Sequence, residues 1–171
     1  MTPRDPVLLL LNARLEWLAG IEDAKAEIAG VAHALAEARA RGWTIAHAFH
    51  PKPRAPRKGA IPGLEPRADE PLIALATQNA LMSLDERFVR GRALYLAGSV
   101  FSRAGLATAL AASDHGCAIA FIEEAVLTSP EARWVRSKMT PPVIWPVSGS
   151  VLFDDDSAVV NFLDMRLRGG R

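Results

Sequence analysis

Short, unbroken apolar runs alternate along this chain with longer stretches in which apolar residues recur every three or four positions. Val7 to Leu11 is the first run. It reads as a strand buried on both faces, as in a parallel sheet. Ile21, Ala24, Ile28, Val31, Leu35 and Ala38 then fall on one helix face, and Gly42 stands where a helix would stop. Trp43 to Phe49 predicts a second strand, and Pro71 to Leu75 a third, with Pro71 tolerable only at its start. Ser83 and Glu86 have capping-box spacing and predict a short helix over Ser83 to Val89. Arg92 to Gly98 is a fourth strand, Ser102 to His115 an alanine-rich helix, and Cys117 to Ile122 a fifth strand. "SPEARWVRSKM" predicts a helix with Ser129 as its cap and Pro130 in first position. "PPVIWPV" predicts a sixth strand, and the tail from Ser150 fits strand or helix. Residues 50 to 68 carry five prolines and no regular structure is expected there. A loop of that length is usually functional or mobile.

Strands alternating with helices imply right-handed crossovers and a three-layer α/β/α sandwich around a six-stranded, mainly parallel sheet. Ligands of such sheets sit beyond the carboxyl ends of the strands. The positions to examine are therefore Asn12, the region around Leu75, and "GSVFSRAG" from Gly98. At 171 residues, one domain is expected: an α/β unit over residues 1–149. Residues 150–171 would form an extension packed on that domain or on an oligomer interface.

Composition narrows the class without naming an activity. Half the residues are apolar and 23% are charged, as in a folded globular chain. A net charge of +1 gives no support for nucleic-acid binding. No apolar run is long enough for a membrane span, and "MTPRDP" is too short and polar for a signal peptide. Cys117 is the single cysteine, so no intrachain disulfide can form and a cytoplasmic setting is expected. The basic loop segment "HPKPRAPRKG" reads as a solvated loop, and "DDD" at Asp154 to Asp156 lacks calcium-loop spacing.

Three stretches resemble the isochorismatase-like cysteine hydrolases, the family that includes nicotinamidases and carbamoylsarcosine amidases. "VLLLLNARLEWL" resembles the family's opening strand, which ends Asp-x-Gln-x-Asp-Phe. "GAIPGLEPRADEPLI" resembles the loop leading into its lysine-bearing strand. "LYLAGSVFSRAGLATALAASDHGCAIAFIEEAV" resembles its strand, nucleophile-bearing helix and following strand. The resemblance covers roughly residues 7 to 146 and implies strand order 3-2-1-4-5-6. It implies a triad in which an Asp is the general base, a Lys orients it and lowers the thiol pKa, and a Cys thiolate attacks a carbonyl.

Carried over position by position, the Asp becomes Asn12, the Lys becomes Leu75 and the Cys becomes Ala104. None of these side chains can serve as base, cation or nucleophile. The resemblance also implies pocket positions at Trp17, His50, Ser99, Val100 and Ser102, and a cis peptide between Ser99 and Val100. A metal motif of the nicotinamidases would need an Asp where Ala48 stands, so no metal and no cofactor are expected. His47 reads as an ordinary strand residue, and Cys117 as a small buried hydrophobe. The expected function is that of a protein without the triad, binding a small molecule or serving in assembly, as a homo-oligomer. The alternative is a divergent hydrolase acting on an amide or related substrate, with Ser102 and His50 as first suspects.

Overall fold

The computed structural model describes residues 6–115, 117–129, 132, 136 and 145–154. Six strands form one sheet in the order β3-β2-β1-β4-β5-β6, every neighbouring pair parallel. They are β1 (Pro6–Leu11), β2 (Thr44–Phe49), β3 (Leu72–Ala74), β4 (Ala93–Gly98), β5 (Ala118–Val126) and β6 (Trp145–Val147). Two long helices accompany them, α1 (Ala24–Ala40) and α2 (Arg103–Asp114), with a short helix at Gly149–Asp154.

The unbroken leucine run of β1 follows from its central place. Val7, Leu9 and Leu11 join one buried cluster with Ala109 and Ala112 of α2. Leu8 and Leu10 join the other, with Val31, Ala34, Leu35 and Ala38 of α1. Each fully buried leucine contributes about 2 kcal/mol over an exposed one, so neither face of this strand tolerates a polar residue cheaply.

Most expected elements stand within a few residues of their predicted ends. Asp23 caps α1 through its side chain, so the helix starts later than Ile21. The fifth strand runs on to Val126, through Glu123 and Glu124. The helix expected over Ser83 to Val89 is replaced by two single 3₁₀ turns, Ala80–Met82 and Glu86–Phe88. Asn79, not Ser83, supplies the cap, accepting from the Leu81 N–H at 3.0 Å. The proline-rich loop has no regular structure but is anchored: Ile61 and Leu64 are buried, and Ala60 bridges to Arg14. The predicted helix after Ser129 and the start of the sixth strand lie mostly outside the described residues, as does the chain after Asp154.

Candidate functional site

β1, β4 and β3 each end at the same edge of the sheet, and Asn12, Ser99 and Leu75 are the residues that follow them. Asn12 is fully buried, with φ 51°. Asn is among the few non-glycine residues that take this left-handed conformation readily, so the turn itself favours an amide here. Its backbone N–H donates to Ala48 O at 2.8 Å, and its Oδ1 accepts from the His50 N–H at 2.7 Å. The end of β2 is thereby tied to the end of β1. The Asn12 Nδ2 is buried without a hydrogen-bond partner.

Leu75 continues the β3 ladder by one residue, its N–H donating to Phe49 O at 2.8 Å. Its side chain belongs to a buried apolar cluster with Leu81, Leu84, Val100 and Phe101. Ala104 is buried in the first turn of α2.

The approach of α2 to this edge depends on two glycines. A Cβ on Gly98 would stand 2.4 Å from Leu11 O, and one on Gly105 would stand 1.7 Å from Val100 O. Gly98 also has φ 85°, so the β4 exit admits no larger residue. Ser102 donates to Ser99 O at 2.7 Å and accepts from the Gly105 N–H at 3.2 Å, which makes it the cap of α2. The Ser99–Val100 peptide is trans, unlike the cis bond that the resemblance implied; no cis bond occurs among the described residues.

No protein-family model matches the chain, and no curated protein matches it. Solved structures do. An isochorismatase from Pseudomonas putida KT2440 is similar at 25% identity, with 79% of this chain and 81% of that one covered and a TM-score of 0.63. N-carbamoylsarcosine amidase from Thermoplasma acidophilum is similar at 15% identity, with coverage of 84% and 95% and a TM-score of 0.66. A nicotinamidase from Staphylococcus aureus is similar at 12% identity, with coverage of 85% and 99% and a TM-score of 0.65. The chain has the isochorismatase-like fold.

The remaining polar residues of this edge are engaged with one another. Trp17 donates from Nε1 to His50 O at 3.0 Å, and the two rings meet edge-on at 6.5 Å between centroids. The Lys52 ammonium lies 3.5 Å from the Trp17 ring centroid, a cation–π contact. The His50 ring is turned to Thr77, with Nε2 2.8 Å from that carbonyl. Ser102 and His50, the two suspects for a rewired hydrolase, thus have other partners. Among the described residues, no group of three or more His, Cys, Asp or Glu is arranged to hold a metal ion, and no helix is long and apolar enough to cross a membrane.

Two polar groupings escape the sequence reading. Glu16 is buried and binds Arg14 at 2.8 Å and the Gly59 N–H at 3.0 Å, pinning the proline-rich loop to the turn after β1. Burial pushes its carboxyl pKa up, and those hydrogen bonds more than reverse it, leaving it below the ordinary value. The larger grouping centres on Glu70. Arg39 donates from Nε to Oε1 and from Nη2 to Oε2, both at 2.7 Å. His47 Nε2 is 3.0 Å from Oε2, and the Arg67 N–H donates to the same oxygen at 3.0 Å. His47 is therefore part of a buried polar network, not an ordinary strand residue. Burial raises the Glu70 pKa, but the bonds from Arg39, Arg67 and His47 overcome it and hold it down at about 2. For His47, burial outweighs Glu70 and lowers the pKa, so the ring stays neutral near pH 7. Nothing in the local pattern "RADEP" marks Glu70 out from Asp69, because the partners are 23 and 31 residues away.

Proposed function

We propose that this isochorismatase-like chain has lost the Asp-Lys-Cys triad and works as a non-catalytic protein, in assembly rather than hydrolysis. The observation that carries the reading is the packing of Leu75. It is buried in the apolar cluster that includes Leu81, Leu84, Val100 and Phe101, and Asn12, after β1, has its side-chain oxygen occupied by the His50 N–H. An amide at position 12 and hydrocarbon at positions 75 and 104 supply no base, no cation and no attacking atom. The substitutions also fit one another: a carboxylate at position 12 without a cation at position 75 would be a buried charge without a partner, a costly arrangement. Asn and Leu together avoid it.

A homo-oligomer in the cytoplasm goes with this reading. Leu110 on α2 and Met82 in the 3₁₀ turn Ala80–Met82 are large exposed apolar side chains, and α2 packs against that turn. The second reading, a small-molecule-binding protein, is favoured by one atom. The unpartnered Asn12 Nδ2 would welcome a ligand carbonyl or carboxylate oxygen. The test is turnover of nicotinamide, other small amides and isochorismate. The expected result is no turnover above buffer. Turnover that His50→Ala or Ser102→Ala abolishes would mean a divergent hydrolase instead. Light scattering on the purified chain reads the assembly part, with a monomer at all concentrations counting against it.

A further inference from the structure

α2 buries one face and leaves the other uncovered. Ala104, Thr108, Ala109 and Ala112 are buried. The opposite face carries Arg103, Leu110 and Asp114, all exposed, with Leu106, Ala107 and Ala111 half-buried beside them. Arg103, Ala107, Leu110 and Asp114 recur at spacings of three and four, so they form one stripe along the helix. Leu106 lies on one flank of that stripe and Ala111 on the other. The 3₁₀ turn Ala80–Met82 is tied to α2 by the Ala80 N–H, which donates to Thr108 Oγ1 at 3.0 Å. It adds Met82, 72% exposed, to an apolar surface on which Leu110 is 49% exposed. The stripe is also symmetric about the midpoint between Thr108 and Ala109. Arg103 and Asp114 lie equally far from that midpoint at opposite ends, as do Ala107 and Leu110, and Leu106 and Ala111.

We propose that this face docks on the same face of a second copy of the chain, the two α2 helices running antiparallel about a two-fold axis at that midpoint. Such an interface is self-complementary: each contact occurs twice, with the partners exchanged. Helix geometry then sets Leu106 against Leu110 of the second copy on one flank of the seam, and Ala107 against Ala111 of the second copy on the other. The leucines supply apolar area to bury, and the alanines let the two backbones approach. At each end Arg103 meets Asp114 of the second copy. Parallel helices about a two-fold would instead set Arg103 against Arg103 and Asp114 against Asp114, like charges that repel. The charges therefore select the antiparallel sense, and a second copy carries the matching pattern in register. Arg103 already interacts within its own chain. Its five N–H donors have room for a second partner, and the Leu106–Leu110 contact does not depend on it. The inference rests on the assembly reading above and names the surface that reading needs.

Sedimentation velocity and light scattering on the full chain test the proposal. One helix face and one turn make a small interface, so a reversible association with a Kd of about 1–100 μM is expected. Leu110→Lys alters an exposed side chain and should raise that Kd about tenfold or more at unchanged circular dichroism, because it brings two like charges to the seam. Asp114→Arg should weaken association about threefold, and Arg103→Asp added to it should recover the loss. Cysteine pairing reads the register. A mixture of Arg103→Cys and Asp114→Cys chains should cross-link on mild oxidation, with the parent chain as control for Cys117. Asp114→Cys alone should not, since its two copies stand about 16 Å apart along the helix axis. A monomer at every concentration up to about 1 mM overturns this proposal and the assembly reading together. An oligomer that Leu110→Lys leaves undiminished, or in which Asp114→Cys alone cross-links, overturns this surface and leaves the assembly reading standing.

Discussion

At the carboxyl edge of the sheet, Asn12, Leu75 and Ala104 are buried and carry no charge. Around β2 and β3, Glu70 and His47 are buried almost as well, yet Glu70 is charged and paired with Arg39. The two regions answer the same problem in opposite ways. A buried charge must be matched by a counter-charge and by hydrogen bonds, or be removed together with its partner. The Glu70 network takes the first course: both carboxylate oxygens are occupied, by four donors in all if the His47 ring donates. Under the proposed loss of the triad, the Asn12 edge takes the second. One region is then held by pairing and the other by packing, and substitutions should separate them.

Glu70→Ala should have the largest effect. It leaves the Arg39 guanidinium, 15% exposed at the side chain, without its counter-charge, and should cost about 3–5 kcal/mol in urea unfolding. Adding Arg39→Leu should recover part of that loss, because the stranded charge goes with it. A double variant no better than the single one would break the claim that pairing holds this region.

Leu75→Ala comes next. Leu75 is 5% exposed, and truncating a buried leucine costs about 3 kcal/mol. Leu75→Lys should cost at least as much alone, and less when Asn12→Asp provides a partner. With Ala104→Cys added, the three changes should give a thiol that alkylates about tenfold faster at pH 7 than in Ala104→Cys alone. An ordinary thiol pKa in that triple variant would mean that the three positions do not converge as the triad would.

How much of this was legible in the sequence follows the range of the interactions involved. The strand order came with the resemblance, and the strands themselves with the runs "VLLLL" and "ALYLAG", because burial on two faces leaves no other composition. The pattern predicts a helix over Ser83 to Val89, where the fold has only the 3₁₀ turn Glu86–Phe88, with another at Ala80–Met82 just before it. Capping-box spacing at Ser83 and Glu86 is a local signal, and here Asn79 provides a competing cap four residues earlier. The Ala80 N–H is drawn to Thr108 Oγ1 on α2 at 3.0 Å, a contact no local pattern encodes. Position 12 could be aligned from sequence. Its left-handed backbone and its bond to the His50 N–H depend on where β2 ends beside it. The Arg39–Glu70–His47 network was invisible for the same reason, each member being ordinary until the chain brings them together.

Acid should act on the paired carboxylates, Glu70 and also Glu16, and not on the packing of Asn12, Leu75 and Ala104. Glu70 has a folded pKa of about 2 against an ordinary 4.5. The stability it contributes is present above pH 4.5 and lost as pH falls toward 2. His47 is also lowered from its ordinary 6.5. The unfolded chain binds its proton first, so stability falls as pH drops below about 6.5. Unfolding followed against pH should thus show a loss beginning near 6.5 and a second, larger loss below 4.5. His47→Gln should remove the first, and Asn12→Ala should move neither. A first loss that persists in His47→Gln would assign it to another group.

The smallest effect, and the one that bears most directly on the packed edge, is expected at Ser102. As a nucleophile it would need a base to take its proton; in the fold that proton goes to Ser99 O, and the oxygen caps α2 through the Gly105 N–H. Ser102→Ala should therefore cost about 1 kcal/mol, the ordinary value of a helix cap. Ser102→Asp should restore most of it, since a carboxylate caps as well and suits the positive end of the helix dipole. It cannot act as a serine nucleophile. Cap and nucleophile thus predict different orders among three proteins. If capping is the whole role, stability runs parent, Asp variant, Ala variant, and no amide substrate distinguishes them. If Ser102 attacks substrate, the Asp and Ala variants are equally dead while differing in stability, and the packed edge of the sheet would have to be read as an active one.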